Sequence, residues 1–287
     1  MSDLPGWRLR GLDFSSAPSR SKPIVLAEGW LEPSSDNGLP WLHLDTLRPL
    51  PTLADYAATL QEPGPWAGGF DFPFSLPREL VHHLGWPTDW PALMHHYASL
   101  DRPTIRATFA AFCQARPAGG KFAHRACDGP AGSSPSMKWV NPPVAFMLHA
   151  GVPPLIEAGC DLPGLMAGDP QRVALEAYPG LLARQIIGRQ SYKADDAAKQ
   201  TPERRAARER ILLQLEAGWT DWRLRLRCPA SLRASLLDDA KGDYLDALLC
   251  LVAAAWASQQ PGWGRPTASD PLEGWIINAT AQASSGP

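Results

Sequence analysis

Five carboxylates stand where a fold can bring them to one place. Asp13 closes the run from Trp7, which alternates bulky apolar and polar residues and then stops in Ser15-Ser16-Ala17-Pro18-Ser19. That pattern is a strand followed by a loop. Asp71 ends a short run from Trp66, with Pro73 stopping further ladder pairing. Glu176 ends the run from Arg172, and Asp243 and Asp246 sit three apart at the head of an apolar helical stretch, so one helix face carries both. Each has a plain reading: a strand-end Asp caps a turn, and acids in an exposed first helical turn need no further role. Together they say more. If the first, fourth and fifth strands are parallel neighbours, their C-terminal ends share the edge at which open α/β sheets bind ligands. Crowded carboxylates repel one another unless a cation neutralises them. Hard oxygen donors without Cys or His select Mg²⁺ or Mn²⁺. Two such ions about 4 Å apart can activate water and stabilise the leaving oxygen in phosphodiester cleavage.

The elements that must position these acids follow from the pattern. After Asp13 come a second strand over Pro23–Trp30, a polar turn at 34–38 and a third strand near Trp41–Leu44. Tight loops make these three an antiparallel meander. A helix over Leu53–Leu60, with Thr52 as N-cap, crosses to the strand ending at Asp71 and implies a parallel pairing there. Residues 75–168 change texture. They are rich in Pro, Gly, His and Trp, with helical pieces at Pro91–Ser99, Ile105–Ala115 and Val144–Leu148. This reads as a mainly helical insertion with long loops. Within it Lys121–Val140, carrying Lys121, Arg125 and Lys138, reads equally as a mobile lid or a solvated loop. The core resumes at 169, giving a fifth strand to Glu176 and helices from Pro179 to Ile187 and from Thr201 to Glu216. A last helix runs from about Leu236 through Trp256, and Glu273-Gly-Trp-Ile-Ile reads as an edge strand. The fold class is α/β: a five-stranded mixed sheet in one domain, with core segments 7–74 and 169–277 and a tail at 279–287 expected to be disordered.

Composition narrows the chemistry. A net charge of -2 over 287 residues gives no general attraction to polyanions, so a nucleic-acid site must come from a local patch. The basic stretch Arg184–Arg227 reads first as a solvated helix face. Five widely spaced cysteines without a Cys-x-x-Cys pair read as free thiols of a reducing compartment. With no secretory signal or bilayer-length apolar run visible, a cytoplasmic location is expected. Phosphate-binding Gly-rich loops, the dinucleotide fingerprint and the nucleophile elbow are all missing from the sequence.

The ordered set Gly11-Leu-Asp-Phe-Ser, Gly69-Phe-Asp-Phe-Pro-Phe, Glu176-Ala-Tyr-Pro-Gly, Ser191-Tyr-Lys and Asp243-Tyr-Leu-Asp-Ala resembles the domain-of-unknown-function family 429 over almost the whole chain. That family is regarded as RNase H-like, with nuclease activity predicted. The resemblance implies an RNase H-like core whose metal-holding acids map onto Asp13, Asp71 and Asp243 or Asp246. Glu176 is similar to an extra family acid, and Lys193 matches a Tyr-Lys that can meet a phosphate. One position departs: the family's helix motif often reads His-Asp, and this chain has Gly242-Asp243. The expectation is a metal-dependent nuclease acting on DNA or RNA with Mg²⁺ or Mn²⁺. Two alternatives stay open. One is an actin-like nucleotide-binding or phosphotransfer protein, suggested by Asp13-Phe-Ser-Ser and Lys22. The other is a binding module for nucleic acid or protein that keeps the fold without the chemistry.

Overall fold

The computed structural model describes residues 6–34, 38–277 and 279. One mixed sheet runs through the molecule. Its strands are β1 (Arg8–Asp13), β2 (Ile24–Glu32), β3 (Trp41–Leu50), β4 (Trp66–Asp71), β5 (Cys160–Asp161), β6 (Asp169–Glu176) and β7 (Arg225–Arg227), in the order β5-β6-β4-β1-β2-β3-β7. β4 pairs parallel with both β1 and β6, while β2 runs antiparallel between β1 and β3. The meander and the parallel crossover follow the sequence pattern. The strand count does not: the sheet has seven strands, not five. The two extra strands, β5 and β7, lie at the edges and span two and three residues, too few to show an alternation. Glu273–Ile277 is not an edge strand either. It forms turns and irregular backbone in which the Glu273 carboxylate accepts the Arg78 and Ala126 backbone N–H groups. The proposed tail falls outside the described residues except for residue 279.

Helices cover both faces. Behind one face lie α1 (Leu53–Leu60) and the helices of the 72–168 segment: α2 (Arg78–Leu84), α3 (Trp90–Ser99), α4 (Arg102–Gln114), α5 (Asp128–Ala131) and α6 (Val144–Glu157). All but α5 pack with Leu12, Phe14, Phe70, Phe72 and Phe74 in one apolar cluster, while Ala131 of α5 packs with Leu181 and Ile276. Thr52 caps α1 through a reciprocal capping box with Asp55. The other face carries α7 (Pro179–Ile187), α8 (Pro202–Ala217), α9 (Ala230–Asp238) and α10 (Asp243–Ala257). Among the described residues no helix is long and apolar enough to cross a membrane.

The long helix expected from Leu236 is two helices. The chain leaves helical geometry after Asp238 and re-enters at Asp243, with Gly242 at φ +79°, a left-handed conformation that favours glycine. The Asp239 carboxylate accepts the Tyr244 N–H (2.9 Å) and so caps the new helix. α10 is apolar on nearly every side, as a helix enclosed on all faces must be. It lies directly on the sheet at two glycines. A Cβ on Gly11 would stand 2.0 Å from the Leu251 nitrogen and 2.1 Å from the Ala247 oxygen, and one on Gly69 would stand 2.5 Å from the Cys250 oxygen. These obstacles are backbone and cannot rotate away. Gly11→Ala is therefore expected to lower unfolding free energy by about 3 kcal/mol in urea titration, the upper end for overpacking. An unchanged midpoint would mean that α10 is not seated on β1 this closely.

Candidate metal centre

The pleat decides which acids meet. Asp13 and Asp71 are register partners at the ends of the parallel strands β1 and β4. Side chains alternate faces along a strand, and paired residues share a face. Both therefore lie on the face of Gly11 and Gly69, against which α10 packs. From the first turn of α10, Asp246 comes down onto them. One carboxylate oxygen from each of Asp13, Asp71 and Asp246 lies within 4.8 Å of the others. Asp246 is fully enclosed, whereas Asp13 and Asp71 are part-exposed.

The remaining acids stand outside the triad, although Asp243 and Glu176 both line the cavity over it. Of the helix pair, Asp246 is the one in the triad; Asp243 stands at the rim of the cavity above it. Glu176 pairs in register with Phe70, not with Asp71, so its side chain lies on the opposite face. There its two oxygens accept the Arg125 guanidinium at 2.5 and 2.7 Å, and Oε2 also accepts the Phe74 N–H at 2.9 Å. Arg125 also donates to Asp128 at 3.0 Å and is 3 % exposed. The stretch Lys121–Val140 thus enters the structure through a buried ion-pair cluster, and Arg125 is a strut within it.

Lys193 donates its ammonium to Asp246 Oδ2, while the Tyr192 hydroxyl donates to Oδ1 at 2.5 Å. The backbone beneath these two residues is fixed from α8. Arg208, buried, donates to the Tyr192 carbonyl at 2.7 Å and to the Leu237 carbonyl at 2.8 Å, and Arg204 donates to the Lys193 carbonyl at 3.0 Å. So part of the basic stretch read as a solvated face is a scaffold for Lys193. Gly242 has a second role here: a Cβ on it would lie 2.7 Å from the Lys193 Cβ. The Lys193 stem fills the space that a larger residue at 242 would need.

Burial and mutual repulsion set the protonation of the cluster. Removal from water, then the Asp246 and Asp71 charges, push Asp13 well above the usual carboxylate range. The same two causes, burial and then Asp246, bring Asp71 to about 7, against the pull of Lys193. Burial, Asp239 and Asp246 raise Asp243 to about 6. For Lys193, burial works against the charged form, but Asp246, Tyr192 and Asp13 outweigh it and hold the ammonium well above its ordinary value.

A set of three hard oxygen donors that repel one another suits a divalent cation such as Mg²⁺ or Mn²⁺. Because Asp71 keeps its proton up to about pH 7, an ion arriving below that pH must displace it. Asp13, raised as well, gives up its own proton, so calorimetry in two buffers of different ionisation enthalpy is expected to show about one proton more released per Mn²⁺ bound at pH 6 than at pH 8, the share of Asp71. Equal release at both values would show that Asp71 is not titrating in the site.

A cavity of about 730 Å³ opens over the cluster, bounded by the loop after β1, residues 193–195, the start of α10 and the 72–168 segment. The chain matches no protein family model, no curated protein and no solved structure. What it does must therefore be argued from the site.

Proposed function

We propose that this protein is a metal-dependent phosphodiesterase of the RNase H-like type acting on nucleic acid. The observation that carries the reading is the convergence of Asp13, Asp71 and Asp246, from β1, β4 and α10, within 4.8 Å. Two further features support it. Within the seven-stranded sheet, β1, β2 and β3 form an antiparallel meander that meets the parallel strands β4 and β6, and antiparallel first three strands in a mixed sheet are what the family resemblance implies. The acids also occupy the three places that resemblance assigns to metal ligands.

In this reading Asp13, Asp71 and Asp246 hold Mg²⁺ or Mn²⁺. The bound metal supplies Lewis acidity for the phosphate and lowers the pKa of water. The chain's own residues do the rest. Tyr192 and Lys193 fix the Asp246 carboxylate so that it is presented in one orientation. The Lys193 side chain is 44 % exposed and can turn its charge toward a phosphate oxygen. Asp243 at the rim, with its pKa near 6, is placed to exchange a proton with solvent at neutral pH. Glu176 acts through Arg125, holding the inserted segment against the end of β6.

The test is Mn²⁺ titration of the protein by calorimetry, followed by incubation with labelled single-stranded and duplex oligonucleotides. Binding together with cleavage that stops in EDTA is the expected result. Binding without cleavage of any oligonucleotide would leave a metal site and remove the nuclease.

A further inference from the structure

The cavity over the carboxylates has two unlike sides. One is charged: Lys22, Lys193 and Lys241 border it together with Asp195 and Asp243, Lys22 being paired with Asp195 and Lys193 with Asp246. The other comes from the inserted segment: Val144 and Met147 from α6, with Pro142 and Pro143, make an apolar patch there, beside Arg125 and two serines. Val144 and Met147 are three apart and share one helix face. Met147 packs against the main apolar cluster, so this wall is backed by core. A phosphate is held by charge and N–H donors, and an apolar wall gives it nothing. The wall must meet another part of the substrate. At about 730 Å³ the space falls in the range of pockets that enclose small ligands. Ser133 and Ser134 also border it, offering hydroxyls to a polar edge.

We propose that the cavity takes one nucleotide unit of a single strand or strand end, with its phosphate at Asp13, Asp71 and Asp246 and its base on the Val144–Met147 face of α6. The placement of the phosphate rests on the function proposed above; the placement of the base rests on the wall itself. A base has an apolar face for the helix and a hydrogen-bonding edge for the serines. A paired base is held in the duplex stack, and extracting it costs a few kcal/mol. A base on a single strand is already free to lie against an apolar surface. The pocket therefore selects single-stranded substrate over continuous duplex.

The test compares two probes in Mg²⁺ by calorimetry: thymidine 5′-monophosphate and deoxyribose 5-phosphate, which lacks the base. The wild type is expected to bind the nucleotide at least about tenfold more tightly, the scale of removing one face of a base from water against an apolar surface. Met147→Gln, which keeps the length of the side chain and makes the wall polar, is expected to remove that preference and leave the sugar phosphate unchanged. Val144→Asp, at a less enclosed position, is expected to do the same and stands in if the first variant does not fold. Equal affinity for the two probes, binding of neither, or a preference that survives both variants overturns the proposal. Mn²⁺ titration of the same samples reads the other question separately. A base preference without metal binding would sink the metal-dependent phosphodiesterase and leave the base pocket standing.

Discussion

Replacing Asp13 by Asn is expected to abolish Mn²⁺ binding and to make the metal-free protein more stable. The two effects have one cause. Asp13 is held well above the usual carboxylate range by burial and by the Asp246 and Asp71 charges. An acid whose pKa is raised by folding stabilises the native state fully below its unfolded value, near 4, and loses that contribution as pH rises. At pH 8 the unfolded chain ionises Asp13 freely while the native site resists that charge, which favours unfolding. Asparagine keeps the shape and has nothing to ionise, so a gain of about 2 kcal/mol is expected in EDTA at pH 8, fading toward pH 4. The same change takes a ligand from the metal. Any metal-dependent cleavage should fall by about a thousandfold, the scale of losing a main electrostatic group from such a site. Urea titrations at the two pH values, with and without Mn²⁺, check both halves. A variant that still binds Mn²⁺ as the wild type does removes the triad as a metal centre.

Arg125→Leu is expected to cost about 3–5 kcal/mol, the penalty for stripping a buried ion-pair cluster of its cation. Arg125 is 3 % exposed, Glu176 4 % and Asp128 1 %. Without the guanidinium, two enclosed carboxylates face each other. Burial already raises Glu176, and Arg125 is what pulls it back. In the variant Glu176 rises further, so the deficit should grow as pH climbs from 4 to 8, the direction for a raised acid. Adding Glu176→Gln removes one of the stranded charges and should recover part of the loss. If the single variant unfolds at the wild-type urea midpoint, the buried cluster contributes nothing to tying residues 121–140 to β6.

Much of the site is visible in the order of residues. Asp13 and Asp71 end alternating runs, and where a strand ends is a local property. Their shared face is equally local once the two strands pair parallel. Glu176 shows the limit. It also ends a strand, but its register partner is Phe70, and a shift of one residue along a strand turns a side chain to the other face. The next place, which shares the triad's face, falls to Ala177 just past the end of β6, whose Cβ lies near Gly69. Choosing Asp246 over Asp243 required the starting residue of α10, which Gly242 and the Asp239 cap determine together. Arg125 and Arg208 lie among unpatterned or basic residues, and their partners are 51 and 16 positions away. No spacing rule connects such pairs. Tyr192 was visible only as part of a motif, and its role depends on a fold that brings residue 192 to residue 246.

The break between α9 and α10 has an electrostatic consequence of its own. The aligned peptide dipoles of a helix leave about half a positive charge at its first turn, and the effect fades within that turn. Had one helix run on from Leu236, its positive end would lie about 10 Å further back, at 1.5 Å per residue. The interruption at 239–242 instead starts a fresh macrodipole at Asp243, with Asp246 still in the first turn. Its positive pole faces three crowded carboxylates. Four non-helical residues thus place a fixed partial charge at the cluster, beside the ammonium of Lys193.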